Sequence, residues 1–223
     1  MKKENLFDRW PEKYDRWFET PLGKLIKRYE KDVLFSLLQP AKGQRILDAG
    51  CGTGVFTIDI LQAGAHVVGL ELSLPMIRYA GRKATFDRIQ GDMLYLPFKD
   101  NCFDKTVSVT AIDFIENAAA AVNELIRVTR RGGRIVVATL NSCSTWAERR
   151  RKEAETGRNP LFKNVFFRTP EALKALAPYP GILKSAIYFN EDEDINRAVL
   201  IEEQGRQRCL TTGAFLVICW RKP

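Results

Sequence analysis

Apolar positions recur at helical spacing from Asn5 to Gln39, a stretch studded with Phe7, Trp10, Tyr14, Trp17 and Phe18. Pro11 and Pro21-Leu22-Gly23 punctuate it, which predicts two or three short helices, the longest from about Gly23 to Leu38, before Pro40. From Arg45 the period changes. Short apolar runs at Arg45 to Ala49, Val67 to Leu72, Phe86 to Gln90, Phe103 to Thr110 and Arg134 to Leu140 read as strands. Between them, Val55 to Ala63, Pro75 to Arg82 and Ala118 to Thr129 read as helices, the last closed by Arg130-Arg131-Gly132-Gly133. Strand and helix in alternation predict an α/β fold with a mostly parallel sheet covered on both faces.

After Asn141 the pattern loosens. Thr145 to Glu155 reads as a very basic helix, and Thr169-Pro170-Glu171 as the capped start of another. Ile182 to Phe189 and Ala214 to Trp220 read as two closing strands, a hairpin-like antiparallel pair with an unusually long connection. The domain expectation is a helical cap over residues 1–40 and an α/β domain over 41–223, with a basic helical insert at about 142–170.

Composition changes this picture little. The 223 residues suffice for one large domain, and no apolar run approaches the length of a membrane span. The opening Met1-Lys2-Lys3-Glu4-Asn5 leads into charged and aromatic residues, not an apolar signal-peptide core, so a cytoplasmic location is expected. Five scattered cysteines form neither a disulfide framework nor a zinc pattern, and no metal is expected. The formal net charge of +8 would favour a polyanionic partner, but it is spread over several segments. Its densest run, Arg149-Arg150-Arg151-Lys152, reads as a solvated helix face.

The chemistry concentrates at Asp48-Ala49-Gly50-Cys51-Gly52-Thr53-Gly54, which follows a strand and opens a helix. Such a turn lays a ligand against bare backbone near a helix N-terminus. A dinucleotide site usually spaces its glycines as GxGxxG and holds a pyrophosphate. Here the spacing is GxGxG, and Asp48 beside it would repel a pyrophosphate but suits an ammonium group. Glu71, at the end of the second strand, can accept from both hydroxyls of a ribose. That fits NAD and S-adenosylmethionine alike. Asp92, after the third strand, can accept from an adenine amino group; its alternative is a turn cap.

These residues resemble the class I S-adenosylmethionine-dependent methyltransferases, and most nearly their ubiquinone/menaquinone-biosynthesis-like (type 11) group. Asp48 to Gly54 is similar to the first motif, Glu71 to the ribose-binding acid, and Asp92-Met93, followed by Leu96-Pro97-Phe98, to the adenine pair. Glu124 to Gly133 resembles the helix and turn before strand five, with Arg131 where proline is usual. The resemblance implies a Rossmann-like sheet of seven strands, the last antiparallel, behind an N-terminal helical cap. It implies S-adenosyl-L-methionine as cofactor, held by Asp48, Gly50, Cys51, Gly52, Gly54, Glu71, Leu72, Asp92, Met93 and Ala111.

Methyl transfer from a sulfonium needs alignment and exclusion of water more than it needs a base. Tyr14, from the cap, and Asp113, beyond strand four, are the candidate catalytic residues; Glu116 reads rather as a charge at a helix start, and His66 lies outside the ligand edge. Trp17, Phe18 and Trp146 either line an apolar acceptor pocket or pack the cap. The expected function is methylation of a small-molecule acceptor. Alternatives are a tRNA or other nucleic-acid methyltransferase, for which no added binding module is visible, and a non-catalytic S-adenosylmethionine-binding protein. An NAD-dependent oxidoreductase is disfavoured by the glycine spacing.

Overall fold

The computed structural model describes residues 6–223; the part of the cap expectation that falls on residues 1–5 lies outside them. Two helices come first, α1 (Pro11–Glu19) and α2 (Pro21–Leu38). Thr20 separates them, its hydroxyl accepting from Gly23 N at 3.0 Å while Pro21 takes the first helical turn. α2 ends at Gln39, which turns left-handed (φ 47°) just before Pro40.

The sheet then builds through β1 (Arg45–Ala49), α3 (Val55–Gln62), β2 (His66–Glu71), α4 (Leu74–Lys83), β3 (Asp87–Gln90), β4 (Phe103–Val109), α5 (Ala118–Val128) and β5 (Thr129–Leu140). It closes with α6 (Thr145–Glu155), α7 (Pro170–Lys174), β6 (Gly181–Ala186), α8 (Ile195–Gln207) and β7 (Phe215–Arg221). Seven strands lie in the order β3-β2-β1-β4-β5-β7-β6. β1 to β5 pair in parallel, and β7 runs antiparallel to both β5 and β6. The strand period of two splits the core. Ile46, Val67, Val107, Val136 and Val217 face α2 and α3, while Leu47, Val68, Ile135, Val137 and Ile218 face α5 and α7.

Two features depart from the expected pattern. Arg130 to Gly133 does not end α5 in a free turn. The chain passes directly into β5, with a register shift against β4, and Gly132 and Gly133 pair with Lys222. The Lys222 ammonium caps the helix end by donating to the carbonyls of Arg127 and Thr129, at 3.1 and 2.8 Å. The long connection between the last two strands carries α8, whose buried face is Ala198, Glu202 and Gly205. Small and polar residues make that stripe, so the apolar periodicity that marks a helix is missing there.

Candidate functional site

The strand order reverses beside β1, and the parallel strands end in one crevice there. β1 runs into Gly50, Gly52 and Gly54, all left-handed at φ +78°, +55° and +79°. Each glycine has its own reason. A Cβ on Gly50 would stand 2.2 Å from the Ala111 methyl, and one on Gly54 would press on Ala80 of α4 at 3.4 Å. A Cβ on Gly52 would meet nothing within 4 Å. That glycine opens onto free space, as a backbone that receives a ligand must.

Glu71, at the end of β2, is buried and fastens this loop. Its carboxylate accepts from Gly52 N at 3.0 Å and from Ser73 N at 2.8 Å. Burial raises its pKa, partly offset by those N–H groups. Asp48 accepts from the Thr57 hydroxyl at 2.6 Å with one oxygen. The other has no protein hydrogen bond among the described residues, and the residue lines the crevice. Burial pushes the Asp48 carboxyl up to about 6, with the nearby Glu71 adding to the effect. Tyr14, Cys51, Val55, Phe56 and Val109 complete the walls.

Beyond β3, Asp92 Oδ1 accepts from Leu94 N at 2.9 Å, closing a turn that leaves Oδ2 available. Met93 is buried beside Gly50 with its sulfur 3.9 Å from the Ser108 hydroxyl, and Leu72 is half exposed at the rim. These groups fit an adenosyl sulfonium: open space before Gly52, a carboxylate oxygen free beside it, and acids at two strand ends. The same groups leave no cradle for a pyrophosphate, which Asp48 and Glu71 would repel.

The cap closes over this crevice. The Ser73 hydroxyl donates to Asp8 at 2.7 Å, Asp15 of α1 receives the Thr53 hydroxyl and the Lys83 ammonium, and Phe7 meets Phe114 edge-on at 4.7 Å. Tyr14 hangs from α1 into the crevice with its hydroxyl against Thr110. Burial, then the charges of Glu30 and Asp15, raise its pKa and hold it as a neutral phenol. Thr110 itself is left-handed at φ 54°, a strained backbone for a β-branched residue, at the end of β4.

A second, solvent-open cavity lies among Trp17, Glu30, Leu140, Trp146, Arg150 and Phe215. Trp17 and Trp146 therefore reach a pocket, whereas Phe18 packs on Trp17 and Phe56. Asp113 lines neither cavity. It is fully buried and accepts from the Thr139 hydroxyl, from Leu140 N at 3.0 Å and from Arg168 at 3.4 Å. Burial raises it to about 7, and the arrangement ties the 3₁₀ turn Ala111–Phe114 to β5. His66 and Glu116 are exposed.

Glu30 escaped the sequence reading, and Arg150, read as part of a solvated helix face, instead lies over Trp146 and Phe162 and lines this cavity. Glu30 sits one turn from Ile26 and one from Leu34 on the buried stripe of α2. Arg150 sits one turn beyond Trp146 on α6. A charge on an otherwise apolar stripe was the available signal.

The comparisons with known proteins agree with this geometry. Residues 47–137 match the family model described as a methyltransferase domain. Over 128 residues the chain is 39% identical to the malonyl-[acyl-carrier protein] O-methyltransferase of Pectobacterium atrosepticum, covering 57% of this chain and 48% of that one. It is 35% identical over 132 residues to the demethylmenaquinone methyltransferase of Corynebacterium kroppenstedtii, covering 59% and 57%. The chain thus spans about half the length of the curated relatives it matches. A Thermotoga maritima crystal structure described as an S-adenosylmethionine-dependent methyltransferase, possible histamine N-methyltransferase, superposes with TM-score 0.77 at 25% identity, covering 97% and 98%. The expected resemblance to this class of methyltransferases holds, as does the Rossmann-like sheet.

Proposed function

We propose that the chain is an S-adenosylmethionine-dependent methyltransferase that acts on a small-molecule acceptor. The observation that carries this is Gly52, whose bare backbone opens onto free space between Asp48 and the loop that Glu71 holds. S-adenosylmethionine supplies a methyl group already activated by its sulfonium charge. Glu71 would accept from the ribose hydroxyls, the free oxygen of Asp48 from the ammonium, and Asp92 from the adenine amino group. Gly50, Cys51, Gly52 and Gly54 shape the backbone cradle, while Leu72, Met93 and Ala111 flank the base and sugar.

Tyr14 lines the crevice, bonds to Thr110, and is close enough to Glu30 of the second cavity to feel it electrostatically. As a neutral phenol Tyr14 excludes water and can orient an acceptor by donating or accepting a hydrogen bond, but it is a poor base at neutral pH. Asp113 positions the turn carrying Ala111 rather than touching reactants. The small-molecule reading is supported by the second cavity and by the substrate named for the demethylmenaquinone methyltransferase relative. A nucleic-acid acceptor finds less support, because the basic run of α6 is engaged locally: Arg149 pairs with Glu153 and Glu191, and Lys152 with Glu148. No helix among the described residues is long and apolar enough to cross a membrane, and the five free cysteines suit the reducing cytoplasm in which we place the protein.

Calorimetry with S-adenosylmethionine, its demethylated product S-adenosylhomocysteine and NADH, side by side, tests the reading. Binding of the first two and not of NADH is the expected result. Binding of NADH alone would overturn it.

A further inference from the structure

The second cavity carries two polar groups that its apolar walls do not explain. Arg150 projects from α6 and stacks over the rings of Trp146 and Phe162, at 5.2 and 4.8 Å. Its neighbours in the run have partners: Arg149 pairs with Glu153, Arg151 donates to Ser142 O, and Lys152 pairs with Glu148. The Arg150 guanidinium makes no hydrogen bond or ion pair within 4 Å among the described residues, and it lines the cavity. Glu30 enters the same cavity from α2 and likewise makes no hydrogen bond or ion pair. The two do not pair with each other, although a half-buried guanidinium and a half-buried carboxyl would gain a hydrogen bond from contact. Leaving them unpaired is costly unless a ligand sits between them.

From this geometry we infer that the second cavity is the acceptor site, and that it selects a monocarboxylate with a compact apolar or aromatic body, whose carboxylate is held between Arg150 and Glu30. The inference rests on the methyltransferase reading and narrows its acceptor class. A planar guanidinium presents paired N–H donors that match a carboxylate in two parallel bonds. Stacking on two rings fixes the plane of that fork before the ligand arrives. Desolvation raises Glu30 to about 8, with Arg150 the opposing influence, so at neutral pH Glu30 offers an O–H donor to the same anion instead of a competing charge. Glu30, Asp113, Glu153 and Glu191 all act on Arg150 through space. Such surroundings tolerate one ligand charge and disfavour a doubly charged phosphate. Trp17, Ile26, Leu140 and Phe215 enclose the body of the acceptor. Tyr14, which lines the cofactor crevice, is near enough to Glu30 to interact with it electrostatically.

The test uses the full chain saturated with S-adenosylhomocysteine, so that cofactor binding is scored separately from acceptor binding. Benzoate and octanoate are titrated against benzyl alcohol, octanol, octylamine and octyl phosphate, followed by calorimetry and by the fluorescence of the cavity tryptophans. The carboxylates should bind at least ten-fold more tightly than the matched alcohols, amine and phosphate. Arg150→Gln should bring carboxylate and alcohol within about two-fold of each other, with S-adenosylhomocysteine affinity retained. Glu30→Gln, which keeps a donor, should preserve the preference. Equal binding of acid and alcohol by the unmodified chain, tighter binding of the amine or phosphate, or an unchanged preference in Arg150→Gln overturns the inference while the methyltransferase reading stands. Absence of any binding by the probes while S-adenosylhomocysteine binds does the same. Failure to bind S-adenosylhomocysteine removes the methyltransferase reading and the inference with it.

Discussion

Single residues decide whether the crevice can hold a cation. A Cβ at Gly52 is not blocked by protein, so Gly52→Val acts mainly through the ligand space it fills and the left-handed backbone it strains. The variant should lose S-adenosylhomocysteine binding in calorimetry while its far-ultraviolet dichroism stays native. Glu71→Ala removes both the acid proposed to face the ribose and the clamp on Gly52 and Ser73, and should weaken cofactor affinity by about 1–3 kcal/mol. Asp48 gives a pH signature. Its carboxyl titrates at about 6 in the free protein, and a cationic cofactor favours the ionised form. Affinity for S-adenosylmethionine should therefore rise with pH between about 5 and 7 and then level off, with proton release on binding below that plateau. Titrations in buffers of different ionisation enthalpy would reveal the released proton; a pH-independent affinity would remove Asp48 from the ammonium site.

At the scale of elements, the legible parts were those whose burial follows a simple period. β1, β2, β4 and the helices α3 and α5 carry continuous or periodic apolar residues, and their bounds in the sequence fall within a residue or two of the fold. α8 was missed because its contact surface is Ala198, Glu202 and Gly205. Tyr188 occupies the room that Gly205 leaves, since a Cβ there would stand 2.3 Å from the ring. Glu202, fully buried, accepts from the N–H groups of Ile187 and Tyr188 at 2.9 and 3.0 Å and from Arg206 at 2.9 Å. It thereby holds Ile187 in a left-handed conformation, φ 66°, that a β-branched residue otherwise avoids. Only the three-dimensional fold discloses that role. Glu202→Ala leaves the N–H groups of Ile187 and Tyr188 without their acceptor, while Arg206 keeps Tyr29 O and Asp32. It should destabilise the protein by about 1–3 kcal/mol in urea titration, beyond a surface helix substitution.

The whole molecule combines a proposed cofactor crevice that was readable and a proposed acceptor cavity that was not, and both carry acids with raised pKa values. The crevice was readable because its glycines and acids are local to three strand ends. The cavity draws Trp17 and Glu30 from the cap, Leu140 from β5 and Arg150 from the insert, and no local pattern joins positions so distant in the chain. Burying Asp48 and Glu30 at these spaces, and Asp113 behind the turn after β4, has a consequence for stability. Their carboxyls titrate at about 6, 8 and 7 in the fold, raised chiefly by burial, against about 4 in an unfolded chain. The folded protein then binds more protons than the unfolded one across the window between those values. Stability due to these groups is fully present below about pH 4, and it is lost as pH rises through 6, 7 and 8. The net charge of +8 opposes this at the acid end, where added positive charge repels itself. Between pH 6 and 8.5 the carboxyl effect should dominate, so the melting temperature at constant ionic strength should fall across that range. Glu30→Gln should flatten the upper part of the fall, near pH 8, because the amide has no proton to lose. Saturation with S-adenosylmethionine should flatten the lower part, near pH 6, because the bound cation already holds Asp48 ionised. A melting temperature that rises steadily with pH to 8.5 in the unmodified protein would show that these acids are better solvated than their surroundings in the fold imply.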